Sequence, residues 1–364
     1  MAALRRVVFA GGGTGGHLFP ALAVADAIAK LRPGLRIEFV GARRGLESRL
    51  VPRAGYPLHT LPLSGLKGAS VPARILAAAG AGLGVLRCVA AFLGRRPSLV
   101  IGVGGYASGP AVVAAWLLRV PRMLMEQNHF PGATNRFLAP RADLVCVPSE
   151  AARARLNGHG VVTGNPVRAA FSAIGPAPSG ERVSLLVFGG SRGARSINRA
   201  VVEALPRLAE AVPGLTIVHQ TGEAERDAVA AAYGQFPSLP STVLAFIDDM
   251  PRRLAEAELV VCRAGATTLA ELAAAGRPAI LVPYPHAADD HQRLNAEAVR
   301  DAGGAVVLPD GAPVAGEIVA LGADRPLRLR MATAMKTLAR PDAASRIAAL
   351  GLALAEGREA AGVP

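Results

Sequence analysis

A chain of 364 residues exceeds what one hydrophobic core comfortably holds and falls short of three, which predicts two domains. With 51% hydrophobic and 18% charged residues and a mean hydropathy of +0.33, it can bury a large interior, which excludes a disordered or collagen-like protein. The net charge of +13 is unevenly spread: residues 1–165 hold 20 Arg and Lys against 6 Asp and Glu, while the remainder sums to −1. A basic half binds nucleic acid, anionic membrane or phosphorylated ligands.

Strand and helix signals alternate from the start. A β-rich run at 6–10 leads through Gly11-Gly-Gly-Thr-Gly-Gly16 into a helix over 18–30, followed by a strand at 35–40, a helix at 47–54 and strands at 99–102 and 122–126. Residues 75–86 are twelve apolar or small residues between Arg74 and Arg87, too short to cross a bilayer but suited to lying on one. Residues 97–118 are uncharged, yet Gly102, Gly104, Gly105, Gly109 and Pro110 break them into strand, loop and helix, so they read as core. Linker composition at 175–180 marks a boundary near 165–180. The pattern then restarts with strands at 183–188, 215–219, 242–246, 259–262 and 279–282 and a helix ending at 211. Short buried strands alternating with helices predict α/β architecture with two parallel sheets.

Nothing points to export: residues 7–10 are far short of a signal-peptide core. Cys88, Cys146 and Cys262 stand too far apart in sequence for a disulfide framework or zinc knuckle, which fits a reducing cytoplasm.

In parallel sheets, ligands sit beyond the carboxyl ends of strands, and that is where the glycines are. Gly11, Gly13 and Gly16 satisfy the dinucleotide-binding spacing, but no acidic residue ends the second strand; Arg43 and Arg44 keep an NADP reading open. His17 follows the loop in the first turn of a helix, whose dipole favours a neutral imidazole available as a base; the competing reading is a histidine that merely bonds a neighbouring loop. Glu126, at a strand's carboxyl end, is the other candidate base. Residues 102–109 form a second glycine-rich turn in the basic half, and Phe188-Gly-Gly-Ser-Arg-Gly193 opens the second half in the same manner. Cys262-Arg-Ala-Gly-Ala-Thr-Thr-Leu-Ala-Glu271 runs from a strand end into a helix, offering backbone donors at Ala266, Thr267 and Thr268 and a carboxylate suited to ribose hydroxyls. Asp289, Asp290, His291 and Gln292 suit sugar hydroxyls better than a metal, and no D-x-D, H-x-x-H or H-E-x-x-H occurs.

In their order, Gly12–His17 with Phe19-Pro20, Gly104–Pro110, Glu126-Gln-Asn128, Gly164-Asn-Pro-Val-Arg168, Gly189–Ala194, Phe246–Met250, Arg263–Ala266 with Glu271, and Asp290-His-Gln292 resemble the MurG-type N-acetylglucosaminyltransferases of peptidoglycan synthesis. The resemblance implies a GT-B fold, two Rossmann-like domains across a cleft: an acceptor-binding, membrane-associating domain over 1–165, a UDP-GlcNAc-binding domain over 166–340, and a helix over 341–364 returning toward the first. It implies inverting transfer of GlcNAc from UDP-GlcNAc to the C4 hydroxyl of undecaprenyl-pyrophosphoryl-MurNAc-pentapeptide (lipid I), giving lipid II for cell-wall biogenesis, cell shape and division. No metal or other cofactor is implied, and no nucleic acid.

By position, donor contacts fall on Thr14, Gly15, Gly16, Asn128, Arg168, Ser191, Ile247, Ala266, Thr267, Thr268, Leu269, Ala270, Glu271 and Gln292. Of these, Arg168 and Ile247 would face the uracil, Ser191 and residues 266–268 the diphosphate, Glu271 the ribose, and Asn128 with Gln292 the sugar. His17 would deprotonate the acceptor, with Glu126 orienting it or taking its place. Gly13, Gly104, Gly105, Tyr106 and Ser108 would cradle the acceptor pyrophosphate. Arg74, Ile75, Leu76, Leu83, Leu86 and Arg87 would touch an anionic membrane, placing the protein peripherally on the cytoplasmic face of the inner membrane. Cell-wall or divisome proteins are further candidate partners. Competing readings are a UDP-GlcNAc 2-epimerase, a diacylglycerol glycosyltransferase, or a non-catalytic basic protein on RNA or membrane; aromatics at 4% leave little for base stacking.

Overall fold

Apolar runs of four and five residues, alternating with alanine-rich helices, build two all-parallel sheets. The computed structural model describes residues 4–43, 45–61, 63, 71–178, 183–190, 193–287 and 290–358, the side chains of 71–76 excepted. The chain divides into one unit of Met1–Arg168 with Arg340–Pro364 and a second of Ala169–Ala339.

The first unit holds strands β1 (Arg6–Ala10), β2 (Arg36–Ala42), β3 (Leu58–Leu61), β4 (Leu99–Gly102), β5 (Arg122–Met125), β6 (Leu144–Val147) and β7 (Val161–Val162) in the order β3-β2-β1-β4-β5-β6-β7. Between them run α1 (Gly15–Leu31), α2 (Glu47–Arg53), α3 (Val71–Gly94), α4 (Ser108–Leu117), α5 (Ala133–Leu138) and α6 (Glu150–Ala154). Strand β1 is buried on both faces, because alternate side chains point to opposite sides. Val7 and Phe9 join one cluster with Leu18, Leu22 and Ile28 of α1, while Val8 and Ala10 join another with Cys88 and Phe92 of α3 and Val112 of α4.

The second unit contains α7 (Ala169–Ser172), β8 (Ser184–Phe188), α8 (Arg195–Ala211), β9 (Thr216–Gln220), α9 (Arg226–Tyr233), β10 (Ser241–Leu244), α10 (Met250–Glu256), β11 (Leu259–Cys262), α11 (Ala266–Ala275), β12 (Ala279–Leu281), α12 (His291–Asp301), β13 (Ala305–Val307), α13 (Ala315–Ala323) and α14 (Arg325–Thr337). Its sheet order is β10-β9-β8-β11-β12-β13. Helix α8 turns Ile197, Val201, Leu205 and Leu208 onto this sheet at helical spacing. The buried Arg277 guanidinium donates to the carbonyls of Leu254 (2.7 Å), Ala275 (2.8 Å) and Gly175 (3.2 Å), pinning the incoming linker to the helix ends.

After α14 the chain rejoins the first unit, where α15 (Ala343–Ala355) lies along α1. Ile347, Leu350 and Leu352 enter the cluster around β1 and α1. Each such side chain contributes about 2 kcal/mol by leaving water.

One expectation is corrected here. The stretch read as ending at residue 86 continues to Gly94, so α3 is 24 residues long, because Arg87 sits on its exposed side without interrupting the helix. By length and composition alone its Ala77–Gly94 segment, with a mean hydropathy of 1.7, could cross a membrane. Cys88 and Phe92 bury one face of it against the first unit, whereas Leu83, Leu86 and Leu93 are 46%, 67% and 67% exposed.

In each sheet the chain reverses its winding direction beside the first strand of that unit, between β1 and β4 and between β8 and β11. These two switch points open crevices at the carboxyl strand ends.

Candidate active site

The crevice of the first unit lies where the loops after β1 and β4 meet. His17 occupies the first turn of α1, half-buried, with its Nδ1 2.8 Å from Gln127 Oε1. Gln127 is buried and its Nε2 donates to the Met125 carbonyl at 3.2 Å. The imidazole also lies against the backbone of the second glycine turn: a Cβ on Gly104 would come within 3.1 Å of His17 Cε1 and Nδ1. Gly104 and Gly105 have φ of +89° and +74°, so this turn requires glycine both for its conformation and for the approach of the ring.

The other candidate base is held by its own loop. Glu126 is 3% exposed, and its two oxygens accept from five N–H groups: Gln127 N, Asn128 N and Asn128 Nδ2 on Oε1, Gly132 N and Asn135 Nδ2 on Oε2, at 2.8–3.2 Å. That is the bonding of a carboxylate organising a loop. Asn128 is thereby oriented by Glu126.

Two residues assigned to phosphate are engaged elsewhere. The Gly13 amide donates to Glu47 Oε2 at 2.8 Å, and the same buried carboxylate accepts from Ala42 N at 3.0 Å. Fully buried Ser108 donates its hydroxyl to Gly105 O at 2.9 Å, so it shapes the turn from within. Tyr106 stands beside Gly13; burial, and then the Glu47 charge, hold its phenol above the ordinary value, so it remains a neutral donor. Thr14 is exposed and its hydroxyl makes no helix cap. Gly15 is half-buried against Phe19, and Gly16 is exposed. Arg168 belongs to this unit, with its guanidinium 4.7 Å from the Phe19 ring centre.

The crevice of the second unit is framed by the loops after β8 and β11. A Cβ on Gly193 would fall 1.8 Å from Thr221 O, so only glycine permits the loop after β8 to pack against the end of β9. That region is held by His219, whose ring nitrogens lie 3.1 Å from Tyr233 Oη and Asn198 Oδ1; burial pushes its imidazole down to about 4, so it stays neutral. Ser191 lies outside the described residues, as do Asp289 and Arg44.

Helix α11 begins at Ala266 after Gly265, without a side-chain cap. Its first turn, Ala266, Thr267 and Thr268, therefore presents the positive end of a ten-residue helix at the switch point. Glu271 is 9% exposed one turn in, and its charge adds to burial in raising the Cys262 thiol. Leu269 turns its side chain into the core, and its amide donates to Gly265 O at 3.0 Å. Ala270 offers only a half-buried methyl group. Ile247 is 7% exposed in the loop between β10 and α10.

Arg263 braces the crevice. It donates to the Val282 and Pro283 carbonyls (3.1 and 3.2 Å), to Asp310 Oδ1 (2.6 Å) and to Ser196 Oγ (2.8 Å). Gln292 Oε1 accepts from Tyr284 N at 3.0 Å, which makes the other end of its amide the donor. Asp290 pairs with Arg293. Among the described residues, no three His, Cys, Asp or Glu side chains gather as a metal site would require.

On the first unit's surface, Leu83 and Leu86 of α3 are exposed and Arg87 is exposed beside them. The side chains of Arg74, Ile75 and Leu76 lie outside the described residues. Helix α4 adds Trp116 and Leu117, and α5 adds Phe137, 61% exposed. Arg141 bridges these helices, its guanidinium 4.6 Å from the Phe137 ring centre and 5.9 Å from that of Trp116.

Residues 7–147 match the glycosyltransferase family 28 N-terminal domain and residues 184–346 the family 28 C-terminal domain. A relative from Syntrophotalea carbinolica, named UDP-N-acetylglucosamine--N-acetylmuramyl-(pentapeptide) pyrophosphoryl-undecaprenol N-acetylglucosamine transferase, is 44% identical over 94% of this chain and 97% of its own. The crystal structure of Acinetobacter baumannii MurG superposes with a TM-score of 0.73 at 31% identity, covering 96% of this chain and 99% of that one. The chain belongs to the MurG branch of glycosyltransferase family 28. A UDP-N-acetylglucosamine 2-epimerase superposes with a TM-score of 0.72 over 99% of this chain and 98% of that one, at only 14% identity, and shares the fold alone.

The MurG assignment was legible in the ordered motifs, but several residues that build the site were not. Gln127 stands inside a quoted motif, yet its bond to His17 joins positions 110 apart. Glu47 and Arg263 likewise act through contacts that only folding creates. Trp116 and Phe137 are apolar residues in short helices, and only exposure separates them from core.

Proposed function

We propose that this chain moves N-acetylglucosamine from UDP-GlcNAc to the C4 hydroxyl of lipid-linked MurNAc-pentapeptide, making lipid II. As a MurG-family glycosyltransferase it is a hexosyltransferase. The observation that carries the residue-level reading is the 2.8 Å contact of His17 Nδ1 with Gln127 Oε1 beside two glycine turns at a sheet switch point. An α-linked donor giving a β-linked product calls for one inverting displacement, and such a step needs one base. In this reading His17 Nε2 takes the proton of the acceptor hydroxyl as the sugar bond forms.

The departing UDP gathers negative charge, for which the uncapped start of α11 supplies oriented N–H groups and the helix dipole. The Ser191 loop, Glu271 on the ribose, Ile247 and Arg168 at the uracil, and Gln292 with Asn128 at the sugar complete the proposed donor set, with Thr14, Gly15 and Gly16 as further contacts. Gly104 and Gly105, which border His17, and Tyr106 beside Gly13 are the proposed cradle of the acceptor pyrophosphate. Incubation with UDP-GlcNAc and a prenyl-pyrophosphoryl-MurNAc-pentapeptide is expected to release UDP and yield a disaccharide-lipid, strictly dependent on the acceptor. Conversion of UDP-GlcNAc to an epimer without acceptor would instead favour an epimerase.

We also propose that the first unit sits peripherally on the cytoplasmic membrane face. The support is the +14 charge of residues 1–165 together with exposed Leu83, Leu86, Leu93, Trp116 and Phe137 flanked by arginines. Sedimentation with phosphatidylglycerol vesicles is expected to fall about tenfold between low and physiological salt. Binding indifferent to both salt and lipid charge removes the electrostatic part of this proposal.

A further inference from the structure

We propose that Gln127 is a positioning residue that locks His17 in the Nδ1–H tautomer and thereby presents Nε2 as the bare, proton-accepting nitrogen. The inference rests on the reading of His17 as the base and adds what holds that base ready. Gln127 is 2% exposed, so its amide has no water to fall back on. Its Nε2 lies 3.2 Å from the Met125 carbonyl, which can only accept, and this fixes which end of the amide faces the histidine. The end facing His17 Nδ1, at 2.8 Å, is therefore the oxygen. An oxygen accepts, so Nδ1 carries the hydrogen, and a neutral imidazole with one N–H leaves Nε2 with its lone pair.

The alternative tautomer is disfavoured twice over. Moving the proton to Nε2 would set the Nδ1 lone pair against the Gln127 oxygen. Flipping the amide to relieve that would set the same oxygen against Met125 O, inside a site with no solvent to compensate. The loop has little freedom to adjust, because Glu126 accepts from the Gln127 backbone N–H at 3.0 Å along with four other donors. On another side of the ring, the Gly104 backbone limits rotation. The partner is moreover a neutral amide. A carboxylate in its place would favour the imidazolium and hold the base already protonated at moderate pH.

Three variants and one spectrum test this. Gln127→Leu keeps the volume and removes the acceptor; kcat is expected to fall about 10²-fold, with KM for UDP-GlcNAc within about twofold. Gln127→Glu restores an acceptor to Nδ1, so activity at high pH is expected to recover to within about tenfold of the parent, with the acidic limb of the kcat profile moved up by about one pH unit. Histidine ¹⁵N shifts assigned to His17 are expected to show a single Nδ1-protonated tautomer in the parent and a mixture in Gln127→Leu. His17→Ala serves as reference. If His17→Ala loses turnover while both Gln127 variants keep the parental kcat and pH profile, the positioning role is refuted and the base survives. If His17→Ala keeps its turnover, the base assignment itself fails. An Nε2-protonated His17 in the parent spectrum overturns the inference whether or not the variants fold.

Discussion

Alanine at position 17 is expected to lower kcat by about 10²- to 10⁴-fold while the affinity for UDP-GlcNAc changes by less than about twofold. The split follows from location. The imidazole belongs to the first unit, against the glycine turns read as the acceptor's cradle, whereas the residues read as gripping UDP are mainly in the second. A base acts on the acceptor proton only as the bond forms, so its loss shows in the chemical step and not in donor binding. Single-turnover transfer with saturating lipid acceptor, alongside calorimetric titration of UDP-GlcNAc, measures both quantities. Unchanged turnover would shift the role to Glu126, which is poorly placed for it: five N–H groups already donate to its oxygens and compete for the lone pairs a base must use.

Glu271→Ala is expected to do the reverse, weakening UDP and UDP-GlcNAc by about 10²-fold, on the order of 3 kcal/mol, with a smaller effect on kcat at saturating donor. In the proposed reading, a carboxylate one turn inside α11 accepts two ribose hydroxyls through charge-assisted bonds, and the methyl group that replaces it would leave both hydroxyls without that acceptor. Because Glu271 is buried, the thermal midpoint is to be recorded with the titration. A well-folded variant that still binds UDP with parental affinity would remove the ribose assignment.

Much of the fold was readable because buried parallel strands are continuous apolar runs: β4 and β11 begin and end where their sequences predict. Edge strands were harder. β3 carries exposed His59 and Thr60 between its leucines, and β7 is only two residues long, so neither presents the apolar run that marks a central strand. The α3 boundary failed for another reason, since one arginine on the solvent side of a helix reads in one dimension like an end. The glycine turns and His17 announce themselves by residue type and spacing. What they bond to does not, because the partners of His17, Gly13 and Arg263 arrive from distant parts of the chain.

The last helix of the chain has a bearing on how the molecule is made. α15 packs along α1, the helix that carries His17, and supplies Ile347, Leu350 and Leu352 to the same interior as Leu18 and Leu22. During synthesis, the first 168 residues leave the ribosome long before those side chains exist, so the nascent amino-terminal half waits with an uncovered apolar flank until α15 has been made. Translation products that stop short of α15 would thus be prey for chaperones and proteases.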